Sequence, residues 1–231
     1  MGRSNLMGRR KLAAVARAIA EVQTPGRRRR SEGKQAAVLD AAQALFLAEG
    51  YEGTTVDAIA ARAQVSKRTV YDHFGDKETI FLRVLQRVTD ALVGTVRTAI
   101  DEELAPGRDL REALLGFGHR IVDRAFASSD YSAFHRLTSR QRPVPRLPAA
   151  VRDRPEQMLA ERFAELAAQG ALRASDPGVA ARHFTALTIR SAQEATADRL
   201  DEGEAAGDGS PSAVAEQIIA DGVDAFLRAY R

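Results

Sequence analysis

An all-α fold in two parts, a small amino-terminal helix-turn-helix unit followed by a larger helical unit, is predicted by three features of the 231-residue sequence. Apolar residues recur at three-to-four spacing along most of the chain, which is the period of one helical face. Capping and breaking residues punctuate that periodicity at Gly50, Ser66, Asp76, Pro106, Gly107, Asp176 and Pro177. Composition agrees: 45% of residues are apolar, alanine-rich runs are frequent, and there is no Cys or Trp. Without Cys there are no disulfides, thiolate nucleophiles or zinc–thiolate sites. No apolar stretch approaches the ~20 residues that span a bilayer, so the expected location is the cytoplasm.

The most informative stretch is 34–82. Val38, Leu39, Ala41, Ala42, Leu45 and Phe46 form the inner face of a first helix, which Gly50 is placed to stop. Thr54 or Thr55 caps a second helix with Val56, Ile59, Ala60 and Ala63 inward. Gln64, Val65 and Ser66 make a short turn, with Val65 plugging the angle and Ser66 as the next N-cap. The third helix buries Val70 and Phe74, four apart, and so leaves Lys67, Arg68, Tyr71 and Asp72 pointing elsewhere. So short a helix is held by packing on the other two. Three such helices present a DNA-reading surface.

The pattern Phe46, Gly50, Tyr51, Thr54, Thr55, Val56, Ile59, Ala60, Ala63, Val65, Ser66, Val70, Tyr71, Phe74, Lys77, Glu78 resembles the TetR family of bacterial transcriptional regulators. The dense match covers roughly a fifth of the chain; the rest is similar only in layout. The resemblance implies a homodimer, double-stranded operator DNA bound by paired amino-terminal domains, and a divergent carboxy-terminal domain that takes a small effector. Repression rather than activation is the family expectation. The chain departs from the family pattern at Gln64 and Arg68, where Gly is frequent. At positive φ Gln64 would carry strain. The Arg68 fork can pair with guanine O6 and N7, worth about 1–3 kcal/mol of discrimination, or grip a phosphate.

Reach and chemistry then divide the roles. Lys67, Arg68, Thr69 and Tyr71 are expected to face the groove, while Thr54, Thr55, Ser66, His73 and Lys77 are expected at backbone phosphates. The plainer reading of Tyr71 and His73 is packing around Phe74.

Charge is unevenly placed. The chain is +3 overall, yet residues 1–34 carry +8 and the remainder −5. Such an arm can lie along phosphates or enter a minor groove, adding salt-sensitive affinity, or remain a solvated tail. Thr24, Pro25, Gly26 and the four arginines Arg27, Arg28, Arg29 and Arg30 read as a flexible linker, preceded by a short helix bearing Leu12, Val15, Ile19 and Val22. A transit peptide or membrane-surface anchor is disfavoured because no cleavage site or long apolar region follows. The expected organisation is a basic extension over 1–32, the reading domain over 33–80, and an effector-binding and dimerisation domain over 81–231.

Beyond the motif, Asp76 is the expected N-cap of a long helix with Ile80, Phe81, Val84, Leu85, Val88 and Leu92 inward, ended by Ala105, Pro106 and Gly107. A continuous helix there is the expected transmission element. Residues 109–128 carry two apolar stripes, Leu110, Leu114, Phe117, Ile121 and Leu115, His119, Val122, Phe126, which marks a central helix. Tyr131, Phe134 and Leu137 suggest a short helix, 142–148 a Pro-rich break, and Leu159, Phe163 and Leu166 a helix ending near Gly170. Asp176 and Pro177 open a helix of about 25 residues whose His183, Leu187, Arg190 and Glu194 mix polar with apolar; this is either a dimer surface or the polar end of a pocket. After an acidic loop over 201–210, the last helix spans 211–230. By family layout, the last two helices of each subunit would make a four-helix interface.

Phe117, His119, Ile121, Phe134, Phe163 and Phe184 are the expected wall of an effector pocket suited to a hydrophobic ligand, or else ordinary core. Enzyme motifs are missing: no Gly-x-Ser-x-Gly elbow, phosphate loop or His-Glu-x-x-His occurs, and His73, His119, His135 and His183 are scattered. Neither catalysis nor a cofactor or metal is expected. A DNA-binding protein without an effector is the remaining alternative.

Overall fold

The computed structural model describes residues 25–126, 133–134, 137–138, 144–195 and 213–231. The chain forms two compact units, the first ending at Phe81 and the second running from Leu82 to Arg231. Among the described residues every regular element is helical. The expected helix at Leu12, Val15, Ile19 and Val22, Tyr131, His135 and the 201–210 loop lie outside the described residues.

In the first unit, helix α1 spans Pro25–Gly53 with a kink at Gly50, whose φ of 75° and ψ of 173° break the helical path. Only glycine takes that conformation cheaply, so the expected stop at Gly50 becomes a kink followed by one more turn. The four-arginine run is helical rather than a linker. Arginine has high intrinsic helix propensity, and Pro25 is preorganised for a first turn. Helix α2 spans Val56–Arg62 and α3 Lys67–Phe74. Helix α4, Lys77–Glu103, contributes its first five residues to this unit. Val38, Ala42, Phe46, Ile59, Val70, Ile80 and Phe81 make the core. Phe46 meets Phe81 edge to face at 4.9 Å between ring centres, and Tyr51 meets the same ring at 4.8 Å, geometry that adds about 0.5–1.5 kcal/mol per pair beyond burial.

The second unit continues along α4 and adds α5 (Leu110–Phe126), α6 (Ala149–Arg152), α7 (Arg154–Ala168), α8 (Pro177–Thr185) and α9 (Ala213–Tyr230). Asp76 caps α4 by accepting the Thr79 N–H at 2.7 Å, Asp109 accepts from Arg111 and Glu112 ahead of α5, and Asp176 accepts from Val179 at 2.9 Å. Gly107 and Gly170 take positive φ where α4 and α7 have ended.

Beyond α8 the chain does not continue as a plain α-helix. Ala186–Arg190 is a π-helical turn, after which α-helix resumes through 191–195. Thr188 is fully buried, with its hydroxyl donating to the Phe184 carbonyl at 2.7 Å, and the Ser191 hydroxyl donates to the Ala186 carbonyl at 2.8 Å. The bulged backbone presses on α9 at Gly222, where a Cβ would lie 2.3 Å from the Leu187 carbonyl oxygen. Gly118 of α5 similarly admits the Ile219 side chain of α9.

The carboxylate of Glu103 ties the end of α4 to α5 and to the loop between them. It accepts from Arg108 at 2.7 Å and from Arg120 at 2.6 and 3.0 Å. Those arginines hold the carboxyl below its ordinary value, with the Arg120 hydrogen bond the main cause. A Cβ on Gly116 would sit 2.6 Å from its Oε2, so the glycine clears the space this network occupies.

Candidate nucleic-acid interface

The α2–α3 corner is built almost entirely from backbone hydrogen bonds and two caps. Thr55, in extended conformation, accepts the Ala58 N–H on its hydroxyl at 3.1 Å and so caps α2. Gln64 takes φ 54°, the left-handed conformation the turn requires. Its N–H bonds the Ala61 carbonyl at 3.1 Å, and Val65 N–H bonds that of Ala60 at 3.0 Å. Ser66 then caps α3, accepting the Thr69 N–H at 3.1 Å.

On α3, Val70 is the buried anchor at 1% exposure. Lys67, Arg68 and Tyr71 are exposed, Arg68 by 90% of its side chain. Lys67 Nζ lies 2.7 Å from Asp57 Oδ1 on α2, and that hydrogen bond holds the ammonium above its ordinary lysine value. Arg68 Nε stands 3.7 Å from Asp72, one turn on. Thr69 is half-buried, its hydroxyl 2.8 Å from that of Ser66.

The residues expected at phosphates divide. Thr55 and Ser66 stay exposed at helix starts, with their hydroxyls engaged in capping. Thr54 is a correction: it is 1% exposed and its hydroxyl donates to the Gly50 carbonyl at 2.8 Å, so it latches the kink of α1 instead of facing solvent. Lys77 is half-buried, with Nζ donating to the Tyr51 carbonyl at 2.9 Å and lying 4.4 Å from the Tyr51 ring centre. Burial is the main cause that pushes the Tyr51 phenol up from its ordinary value. His73 is half-buried with Nδ1 3.2 Å from Gln35 Nε2 of α1. When Nδ1 accepts that amide, the neutral ring carries its proton on Nε2.

Asp57, Gln35 and Tyr51 were not singled out for these contacts by sequence reasoning. Asp57 had one local signal, an acid in the first turn of a helix, where the dipole favours it. Nothing in spacing pairs it with Lys67.

Of the expected effector wall, Phe117, Ile121, Phe163 and Phe184 belong to the buried core cluster of the second unit, and Phe134 is buried as well. Phe117, Ile121, Phe134, Phe163 and Phe184 are at most 3% exposed. Phe184 lies 5.9, 5.8 and 5.3 Å from the rings of Phe117, Phe163 and Phe226. This is close-packed core. His119 is half-buried, and its buried Nε2 has no hydrogen-bond partner among the described residues. A cleft of about 370 Å³ in the second unit is lined instead by Ile100, Leu104, Pro106 and Met158 with Arg97, Arg154 and Arg162 among its charged groups.

A recognition helix held in this way defines a helix-turn-helix protein. Residues 38–84 match the model for bacterial regulatory proteins of the tetR family, and 112–231 match the AefR-like transcriptional repressor C-terminal domain. The chain belongs to the TetR family of transcriptional regulators. It is 38% identical over 92 residues to the HTH-type transcriptional activator FasR of Mycolicibacterium smegmatis, covering 40% of this chain and 42% of that one. The chain thus spans less than half the length of that curated relative. A TetR-family regulator from Mesorhizobium loti MAFF303099 superposes with a TM-score of 0.67 at 24% identity, over 87% of this chain and 98% of that one. The Flavonoid-responsive Regulator FrrA does so with a TM-score of 0.58 at 27% identity, over 86% and 97%.

Proposed function

We propose that this regulator binds a palindromic double-stranded DNA operator as a homodimer, represses transcription there, and is released by a small apolar effector. The observation that carries the DNA reading is the outward surface of α3: Val70 alone is anchored in the core, while Arg68 and Tyr71 stand free of it at 90% and 45% exposure. Lys67, Arg68, Thr69 and Tyr71 read bases in this proposal; Thr55, Ser66, His73 and Lys77 touch phosphates. The test is enrichment of bound duplexes from a random library, followed by footprinting. An enriched palindrome is expected, with specific binding lost in Lys67→Ala and Tyr71→Ala while melting temperature persists. Failure to enrich any sequence overturns the proposal.

Repression is favoured by the AefR-like repressor domain matched over 112–231, against activation by FasR, whose likeness covers 92 residues. The homodimer reading follows the family layout, and Leu187 and Val214, exposed by 42% and 43% on the last two helical segments, are the positions at which to test it. The effector reading draws on the name of FrrA, a flavonoid-responsive relative. With the phenylalanine cluster closed, such a ligand acts only by favouring a rearranged conformer, since equal affinity for both states shifts nothing. Phe163→Ala and Phe117→Ala each empty a filled core position and should cost about 3–5 kcal/mol, read as a lowered melting temperature; a variant that keeps its stability and loses only induction would place the ligand there. No helix among the described residues is long and apolar enough to cross a membrane. The proposed site of action is the cytoplasm, with no catalytic role.

A further inference from the structure

Each exposed cation of the recognition helix faces a carboxylate of the same motif. Lys67 Nζ is 2.7 Å from Asp57, and Arg68 Nε is 3.7 Å from Asp72. On the outer surface of the corner, two positive charges are therefore matched by two negative ones. This is unexpected for a face meant to meet a polyanion, where every unneutralised acid repels phosphate.

Asp57 occupies the more telling position. It sits in the first turn of α2, where unpaired N–H groups and the helix dipole attract an anion. The Asp57 side chain, 66% exposed, puts a fixed carboxylate there and spends it on Lys67. Exposed ion pairs contribute little to stability, so the pair has little to do for the fold.

We propose that Asp57 is a specificity-determining residue, which aims Lys67 at a base edge and withholds its charge from the phosphate backbone. The proposal rests on the DNA-reading function above. An ammonium has three donors. With one held by Asp57 Oδ1, the others remain for the O6 and N7 acceptors of a guanine. At a wrong sequence Lys67 has two choices. It stays on Asp57 and offers the backbone no net charge, or it swings to a phosphate and strands a carboxylate beside the polyanion. Both outcomes weaken non-cognate binding, which is discrimination by repulsion. Arg68 and Asp72 repeat the arrangement more loosely, so Asp57 is the residue to test.

The experiment uses the full chain, the duplex enriched from a random library, and a scrambled duplex of the same composition, titrated over a range of salt. Asp57→Asn is expected to tighten binding to the scrambled duplex and to steepen its salt dependence by about one unit. The cognate-to-scrambled affinity ratio should fall by about fivefold or more. Asp57→Glu, which keeps the charge, should hold the ratio near wild type. Asp57→Ser repeats the Asn measurement, so that a folding defect in one variant does not decide the result. An unchanged ratio in both neutral variants overturns the assignment. If the wild type enriches a sequence and the ratio is unmoved, this inference alone fails. If the wild type enriches none, the DNA reading fails and takes this inference with it.

Discussion

Gln64 is the only non-glycine residue at positive φ among those described. The left-handed conformation costs an L-residue roughly 1–2 kcal/mol, part of which a glycine would return as unfolded-state entropy. Gln64→Gly should therefore raise the stability of the first unit by up to about 1 kcal/mol, read as a higher urea midpoint with an unchanged m-value; a lowered midpoint would show that the Gln64 side chain has a role of its own. That strain was legible only through the family resemblance, which often has Gly where this chain has Gln64; spacing alone did not demand a left-handed residue. The caps at Ser66, Asp76 and Asp176 were legible directly, each set by the local need of orphan N–H groups. The choice between Thr54 and Thr55 was not legible. It depends on the Gly50 kink, which turns the Thr54 hydroxyl back onto α1. The Lys67–Asp57 contact was hidden for a similar reason, since it depends on the angle between α2 and α3 and on no sequence spacing.

Helices were readable at the level of elements, and their junctions were not. The apolar stripes on α4, α5, α7 and α9 correspond to buried residues such as Val84, Leu114, Phe163 and Ile219. The same stripes could not tell a cavity wall from a filled core, because both are apolar, and Phe184 proved to pack against Phe117, Phe163 and Phe226. The Glu103 network joining α4 to α5 is a tertiary feature with a measurable pH signature. Its folded carboxyl ionises below the ordinary value of 4.5. The stability it adds is thus fully present above pH 4.5 and is lost as pH falls through the lowered folded value. Glu103→Gln should be less stable than wild type near neutrality, and the gap should close in acid. Denaturant midpoints across that range check the sign; parallel curves would refute it. At the α9 contact, Gly222→Ala forces a Cβ into the Leu187 carbonyl and should cost about 3 kcal/mol, seen as a lowered melting temperature.

Taken whole, the protein is electrically divided, with +8 on residues 1–34 and −5 on the rest. Because α1 begins at Pro25, Arg27 to Arg30 are carried on a helix continuous with the reading unit. Replacing all four with Gln should flatten the salt dependence of DNA binding by about one unit for each arginine that meets a phosphate; an unchanged slope would exclude them from the interface. Assembly is testable at the same scale. Leu187→Glu places a charge on an exposed apolar position and should yield monomers in sedimentation, with weakened binding to a palindrome and unchanged helicity. A dimer that survives the substitution would move the interface elsewhere.

The π-turn at Ala186–Arg190 has an evolutionary corollary. A π-turn holds one residue more than the α-turn it replaces, so deleting a single residue there leaves enough chain for an unbroken α-helix. Everything downstream, beginning at Ser191 and Ala192, would then keep nearly its present facing, because the wider turn absorbs the extra residue locally. A codon gained or lost at this turn is thus absorbed where it occurs, and the end of that helix keeps the same side toward its neighbours.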